Sequence, residues 1–158
     1  MMRKLAQVKQ YMSNMERTAC MVLDSHADTC CAGLTCHVIE YMGKLCDVTP
    51  FSHEYEPMMN IPIVKAATAY NDPQTGETYI LILAQALFLG DKLEHSLICL
   101  NQVHAHGVVV DDVPIHLMQD KQAMHSIYFP EKQIHLPLKM YVCLSYLNIH
   151  LPLAHEIE

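Results

Sequence analysis

Six consecutive residues, Asp24-Ser25-His26-Ala27-Asp28-Thr29, concentrate the side chains best suited to chemistry. They follow Thr18–Leu23, a short and almost wholly apolar run that reads as a buried strand. A carboxylate just past such a strand is held by rigid backbone, and the Ser25 and Thr29 hydroxyls can donate hydrogen bonds to it. That suits general acid–base work. It equally suits a turn, because Asp and Ser commonly bond their own backbone where a strand ends.

A second concentration of reactive types is Cys30, Cys31, Cys36, His37, Cys46 and His53. Structural zinc sites draw on two short-gap ligand pairs, and that pattern does not occur here. Cys36 and His37 are adjacent, so in a strand they point to opposite faces. The expectation is no metal and no cofactor, with the thiols acting as small buried hydrophobes. The chain has 7 cysteines, an odd number that argues for reduced thiols rather than a disulfide framework. His104 and His106 fall in a short helix or its exit and are read as surface or core positions.

The elements that must position these residues are mostly strands. Leu5, Val8, Tyr11, Met12 and Met15 recur at helical spacing and suggest a short helix over 2–15, or a frayed leader. Beyond Thr18 the pattern changes. Cys36–Tyr41 and Lys44–Phe51, separated by Met42-Gly43, predict a hairpin. Pro57 to Pro62 reads as irregular. Ile63–Tyr70 and Thr78–Leu83 flank the turn-forming Asn71–Gly76 and predict a longer hairpin, with Ala84–Leu89 continuing the strand. His95–Leu100 leads to a short helix near Asn101, and Val108–Val110 is a strand. From Ile134 to Tyr146 every second residue is apolar, which predicts a half-buried strand, with Pro137 marking an edge or a break.

Composition limits the function classes. The chain's 158 residues are 51% hydrophobic and 17% charged, enough for one ordinary domain with a real core. A formal charge of −7 disfavours a basic nucleic-acid-binding surface. No apolar run approaches the ~18–20 residues that span a bilayer. The first 17 residues lack the apolar block of a signal peptide, so a soluble, cytoplasmic protein without a membrane partner is expected.

Taken with its context, the loop resembles a known family. Met21-Val22-Leu23-Asp24-Ser25-His26-Ala27-Asp28 is similar to the active-site loop of retropepsin-like aspartic proteases, usually Asp-Ser/Thr-Gly-Ala-Asp/Ser. The later runs Gln85–Leu89 and His95-Ser96-Leu97-Ile98-Cys99-Leu100-Asn101-Gln102-Val103, followed by Gly107, resemble the protease region of copia-type retrotransposon polyproteins. The likeness covers Thr18 to Val110.

The resemblance implies a mostly β chain: a retropepsin-like closed β-barrel, one lobe, with one or two short helices. Residues 1–17 would be a leader or short helix and 18–110 the protease domain. Residues 111–158 would form a C-terminal β extension that completes the sheet, contacts a dimer partner or precedes the integrase. It implies that Asp24 is the catalytic carboxylate and that Ser25 braces it. His26, Ala27 and Asp28 would complete the substrate-binding loop, with Leu97 and Ile98 as the apolar strand beneath. The flap would be the Ile63–Leu83 hairpin, with Asn71, Asp72 and Gly76 at its tip, or alternatively the Cys36–Phe51 hairpin. Two carboxylates about 3 Å apart share one proton, and this dyad activates water; aspartic proteases are the standard case. One lobe carries one such Asp, so the resemblance implies a homodimer cleaving the element's own polyprotein, in the cytoplasm or inside retrotransposon particles. An extended polypeptide is the expected substrate.

Two positions depart from the family pattern. His26 stands where Gly is usual, adding bulk and a titratable ring beside the carboxylate. Cys99 stands where Gly or Ser is common. These departures keep open a second reading, an inactive retropepsin-like module that binds peptides or self-associates, and a third, a Cys/His zinc-binding module.

Overall fold

Apolar residues in the middle of the chain recur in runs bounded by turn formers, and the computed structural model turns most of these runs into strands. It describes residues 19–50, 52–113, 115–117 and 124–157. The helix expected over 2–15 and the end of the strand expected to reach Phe51 lie outside the described residues.

Among the described residues, eleven strands form two sheets. In chain order they are β1 (Cys20–Asp24), β2 (Cys30–Gly33), β3 (His37–Val48), β4 (Met58–Asn71), β5 (Thr78–Gly90), β6 (Ser96–Cys99), β7 (Val109–Asp111), β8 (Ser126–Phe129), β9 (Ile134–Pro137), β10 (Lys139–Tyr141) and β11 (Leu144–Asn148). The α-helices of the described residues are short: α1 (Leu100–Ala105) and α2 (Ala154–Ile157). The main sheet has the order β10-β11-β1-β6-β2-β5-β4-β3, and the smaller one β7-β8-β9. The expected mostly β architecture with short helices is therefore present.

The barrel is not closed. The main sheet ends in β10 at one edge and β3 at the other, and no pairing joins them among the described residues. Closure needs edge strands that can ladder along their length. Here β10 offers 3 residues against the 12 of β3. The sheet nevertheless curls back on itself. Ala69 of β4 and His150, beyond β11, exchange both backbone hydrogen bonds, at 3.0 and 2.9 Å. The Thr68 hydroxyl reinforces this junction, lying 3.1 Å from the His150 carbonyl and 3.0 Å from that of Thr35.

Three local expectations are corrected. The hairpin expected at Met42-Gly43 does not form: β3 runs straight through and pairs along β4. Between the pairs Tyr41↔Val64 and Leu45↔Pro62 the ladder slips, and Gly43 takes the extra residues with φ +69. Gly thus marks a bulge here rather than a turn. The segment 57–62, expected to be irregular, is largely the start of β4, with Pro62 opposite Leu45.

The alternating tail is not one strand either. Pro137 ends β9, an edge strand, and Val142-Cys143 forms the two-residue turn between β10 and β11. Crossing that turn changes the phase, because a two-residue loop reverses direction. Leu136 and Leu138 are buried before it; Ser145, Leu147 and Ile149 are buried after it.

One apolar core joins both sheets. It includes Met21, Leu23, Ala66, Ala86 and Ile98 of the main sheet with Ile127 and Leu136 of the smaller one. The C-terminal segment completes the main sheet as well, since β11 pairs antiparallel with β1.

Candidate active site

The acidic loop connects β1 to β2, yet those strands are not neighbours. β6 lies between them, parallel to β1 and antiparallel to β2, with Leu97 opposite both Val22 and Cys31. Asp24 is the last residue of β1 and pairs in register with Cys99. The loop therefore springs from two strands spaced by a third, and β6 is its floor.

Leu97 and Ile98 serve that floor from opposite faces, as alternation requires. Ile98 joins Met21 and Leu23 in the main core. Leu97 packs with Cys20 and Val22 in a small cluster on the other face, together with Leu144 and Tyr146 of β11 and Tyr141 of β10.

Inside the loop the side chains have distinct environments. Asp24 is half-buried, and its Oδ1 accepts the backbone N–H of His26 at 2.9 Å. This is the local Asx geometry a turn-forming Asp adopts. Ser25 Oγ and His26 Nδ1 are hydrogen-bonded at 3.1 Å, and both residues are exposed. Ala27 packs against the main core, while Asp28 is exposed. The chain leaves the loop through Thr29 into the buried Cys30.

Gln102, on α1, holds that exit. Its Oε1 accepts the Cys30 N–H at 2.8 Å and lies 3.4 Å from the Thr29 hydroxyl, which donates to it. Its Nε2 donates to the Gln85 carbonyl of β5 at 2.6 Å. One side chain thus ties loop, helix and sheet together. No role for Gln102 follows from the sequence alone, where it is one polar residue of a short helix. The nearest signal is its place three residues after the end of β6, where a helix turns back over the sheet.

The thiols around the site are held neutral. Burial pushes Cys31 up to about 11, and the charges of Cys30, Asp28 and Asp24 add to this. Burial also raises Cys30, partly offset by the Cys99 N–H that its sulfur accepts at 3.3 Å. Cys36 is raised by burial too, against a hydrogen bond to Ser96. Ser96 Oγ in turn accepts the Gly33 N–H at 3.0 Å. Neutral, enclosed thiols are poor nucleophiles.

No protein-family model, curated protein or solved structure matches the chain. The site is therefore read from its own geometry.

That geometry brings together Asp24, Ser25, His26, Ala27 and Asp28, with Leu97 and Ile98 below them. It does not join Asn71, Asp72 and Gly76 to them. The tip of the β4–β5 hairpin is closed by Asp72 N–H to the Glu77 carbonyl and Gly76 N–H to the Asp72 carbonyl, each 2.8 Å. Asn71 Oδ1 meets His150 Nε2 at 3.2 Å, so the tip is tied to the C-terminal segment. The alternative flap, expected over Cys36–Phe51, is not a hairpin by itself: residues 37–48 form the single strand β3, which pairs with β4 in a long ribbon.

Chemically, a half-buried carboxylate with one oxygen fixed by a backbone N–H leaves its other oxygen for a proton or a water. A lone carboxylate of this kind can act as a base. Shared-proton chemistry needs a second one beside it.

Proposed function

We propose that the chain is a retropepsin-like aspartic endopeptidase of copia-type retrotransposon origin, acting as a homodimer on an extended polypeptide of its own polyprotein. The observation that carries this reading is the seat of Asp24. It ends β1 in a loop whose flanking strands are spread by β6, with its Oδ1 oriented by the His26 N–H. A retropepsin-type site needs a carboxylate so held, at the tip of a rigid strand pair and open to a partner.

In this reading the Asp24 carboxylates of two protomers meet on a two-fold axis. The ionised one takes a proton from water, which attacks the scissile carbonyl; the protonated one donates to the carbonyl oxygen. Ser25 and Asp28 flank the cleft, and His26 sets a bulkier wall than Gly would. The exposed outer edge of β3, with Ile39, Tyr41 and Leu45 projecting from that strand, offers backbone groups that an extended peptide can pair with.

That same edge favours a second reading, a peptide-binding or self-associating module without catalysis. One experiment separates the two. The purified full chain is incubated with peptides spanning its polyprotein between about pH 4 and 7, upward from the acidic range in which a carboxylate dyad shares a proton. Its mass in solution is measured alongside. The protease reading expects a dimer whose cleavage is abolished by Asp24→Asn without loss of dimer. A dimer or peptide complex that cleaves nothing makes the chain a module. A strict monomer that still cleaves would sink the dyad altogether.

A further inference from the structure

Behind the loop floor lies a cavity of about 660 Å³, bounded by β5, α1 and the smaller sheet. None of Asp24, Ser25, His26, Ala27 or Asp28 lines it. Its volume falls within the usual range of small-molecule sites. Its walls are largely apolar and include Leu81 and Leu83 of β5 and Ile134 and Leu136 of β9.

The charges around it are one-sided. The chain has 17 acidic and 10 basic residues, yet among the described residues no Asp or Glu lines the cavity, whereas Lys65 and Lys132 both do, as does His106. Lys65 is half-buried and Lys132 exposed. Lys65 stands opposite Glu40 in the β3–β4 register, but neither lysine forms an ion pair with a described residue. An apolar cavity whose formally charged lining residues, among those described, are all cations complements a ligand with a hydrocarbon body and one anionic head.

We propose that this cavity binds a long-chain carboxylate. Its hydrocarbon chain lies along Leu81, Leu83, Ile134 and Leu136, and its head meets Lys65 and Lys132. The site is separate from the acidic loop, although Gln102 and Cys30, the pair that anchors the loop, form part of its wall. Binding here does not depend on whether Asp24 is catalytic.

The test titrates the full chain with dodecanoate and, separately, with dodecyltrimethylammonium, which has the same chain length and the opposite charge. Calorimetry and the shift in Tm are the readouts. One dodecanoate per chain with a raised Tm, and no comparable effect of the cation, is the expected result. Lys65→Glu and Lys132→Glu, each checked for its fold by circular dichroism, should weaken dodecanoate binding about tenfold or more, a change of about 1.4 kcal/mol. Absent dodecanoate binding, equal binding of both amphiphiles, or unchanged binding by both variants overturns the proposal. So does a dimer that dodecanoate splits into single chains, since a second copy would then be the occupant of the cavity.

Discussion

Gln102 accepts the N–H of Cys30 at 2.8 Å, although the two residues are 72 positions apart in the chain. This bond fixes where the acidic loop re-enters the sheet. The bond from His26 N–H to Asp24 Oδ1 shapes its start. The loop between them is pinned at both ends.

Gln102→Leu removes the acceptor of a buried N–H and the donor to the Gln85 carbonyl. Unmet hydrogen bonds of this kind cost about 1–3 kcal/mol, so chemical denaturation should show a loss in that range. If the chain is a protease, kcat should fall on the order of 10–100-fold with a smaller change in KM, because the loop is misplaced rather than the substrate lost. A variant with unchanged stability and unchanged cleavage would show that Gln102 does not hold the loop.

Cys20 is fully buried, and burial, aided by Glu94, pushes its thiol up to about 11; Cys31 is raised to about 11 as well. An unfolded chain releases such protons near about pH 8.5. Between these values the folded state keeps protons that the unfolded state has lost, so stability falls as pH rises. The thiol contribution should be intact below about pH 8.5 and decline toward pH 11. Denaturation midpoints across that range, compared with Cys20→Ala, measure it; a rise in stability over that range would contradict the assignment. Alkylation should reach the exposed Cys143 first and the buried Cys20, Cys30, Cys36 and Cys99 only on unfolding.

Gly33 has no room for a side chain, since an added Cβ would strike the Leu93 carbonyl oxygen, which also accepts Leu34 N–H at 2.9 Å. Gly33→Ala should destabilise by about 1–3 kcal/mol, the usual cost of overpacking. Thermal unfolding reads this directly. An unchanged Tm would mean that the segment around Leu93 shifts freely.

Val142, the first residue of the β10–β11 turn, has φ +55. That region is costly for a β-branched residue and free for Gly. Val142→Gly should raise stability by about 1 kcal/mol, the relief of strain exceeding the entropy added to the unfolded chain. A lower Tm in the variant would show that the exposed Val142 side chain contributes more than its backbone costs.

Much of the β character was legible because strands bury apolar side chains in short runs. Cys20–Asp24 and the β4–β5 hairpin follow directly from such runs and from the turn formers at Asn71–Gly76. Gly43 and the tail depart from their local patterns for a common reason. Period and turn residues describe a strand's neighbourhood in sequence, but the ladder partner decides whether a Gly turns the chain or bulges it. Met42-Gly43 looks like a hairpin until β4 is seen to pair across it. The alternation from Ile134 to Tyr146 looks continuous until Val142-Cys143 reverses the chain and its phase.

The same division holds for the candidate site. The loop's chemistry, the carboxylate of Asp24 with Ser25, His26 and Asp28 around it, is legible locally because those residues are contiguous and follow an apolar run. Three relationships come from the three-dimensional fold alone: β6 lies between β1 and β2, Gln102 anchors Cys30, and the hairpin tip is bound to His150 rather than to the loop. Those relationships join residues far apart in the chain. Hydrogen bonds across such distances depend on which strands pair, and a local pattern carries no record of the partner.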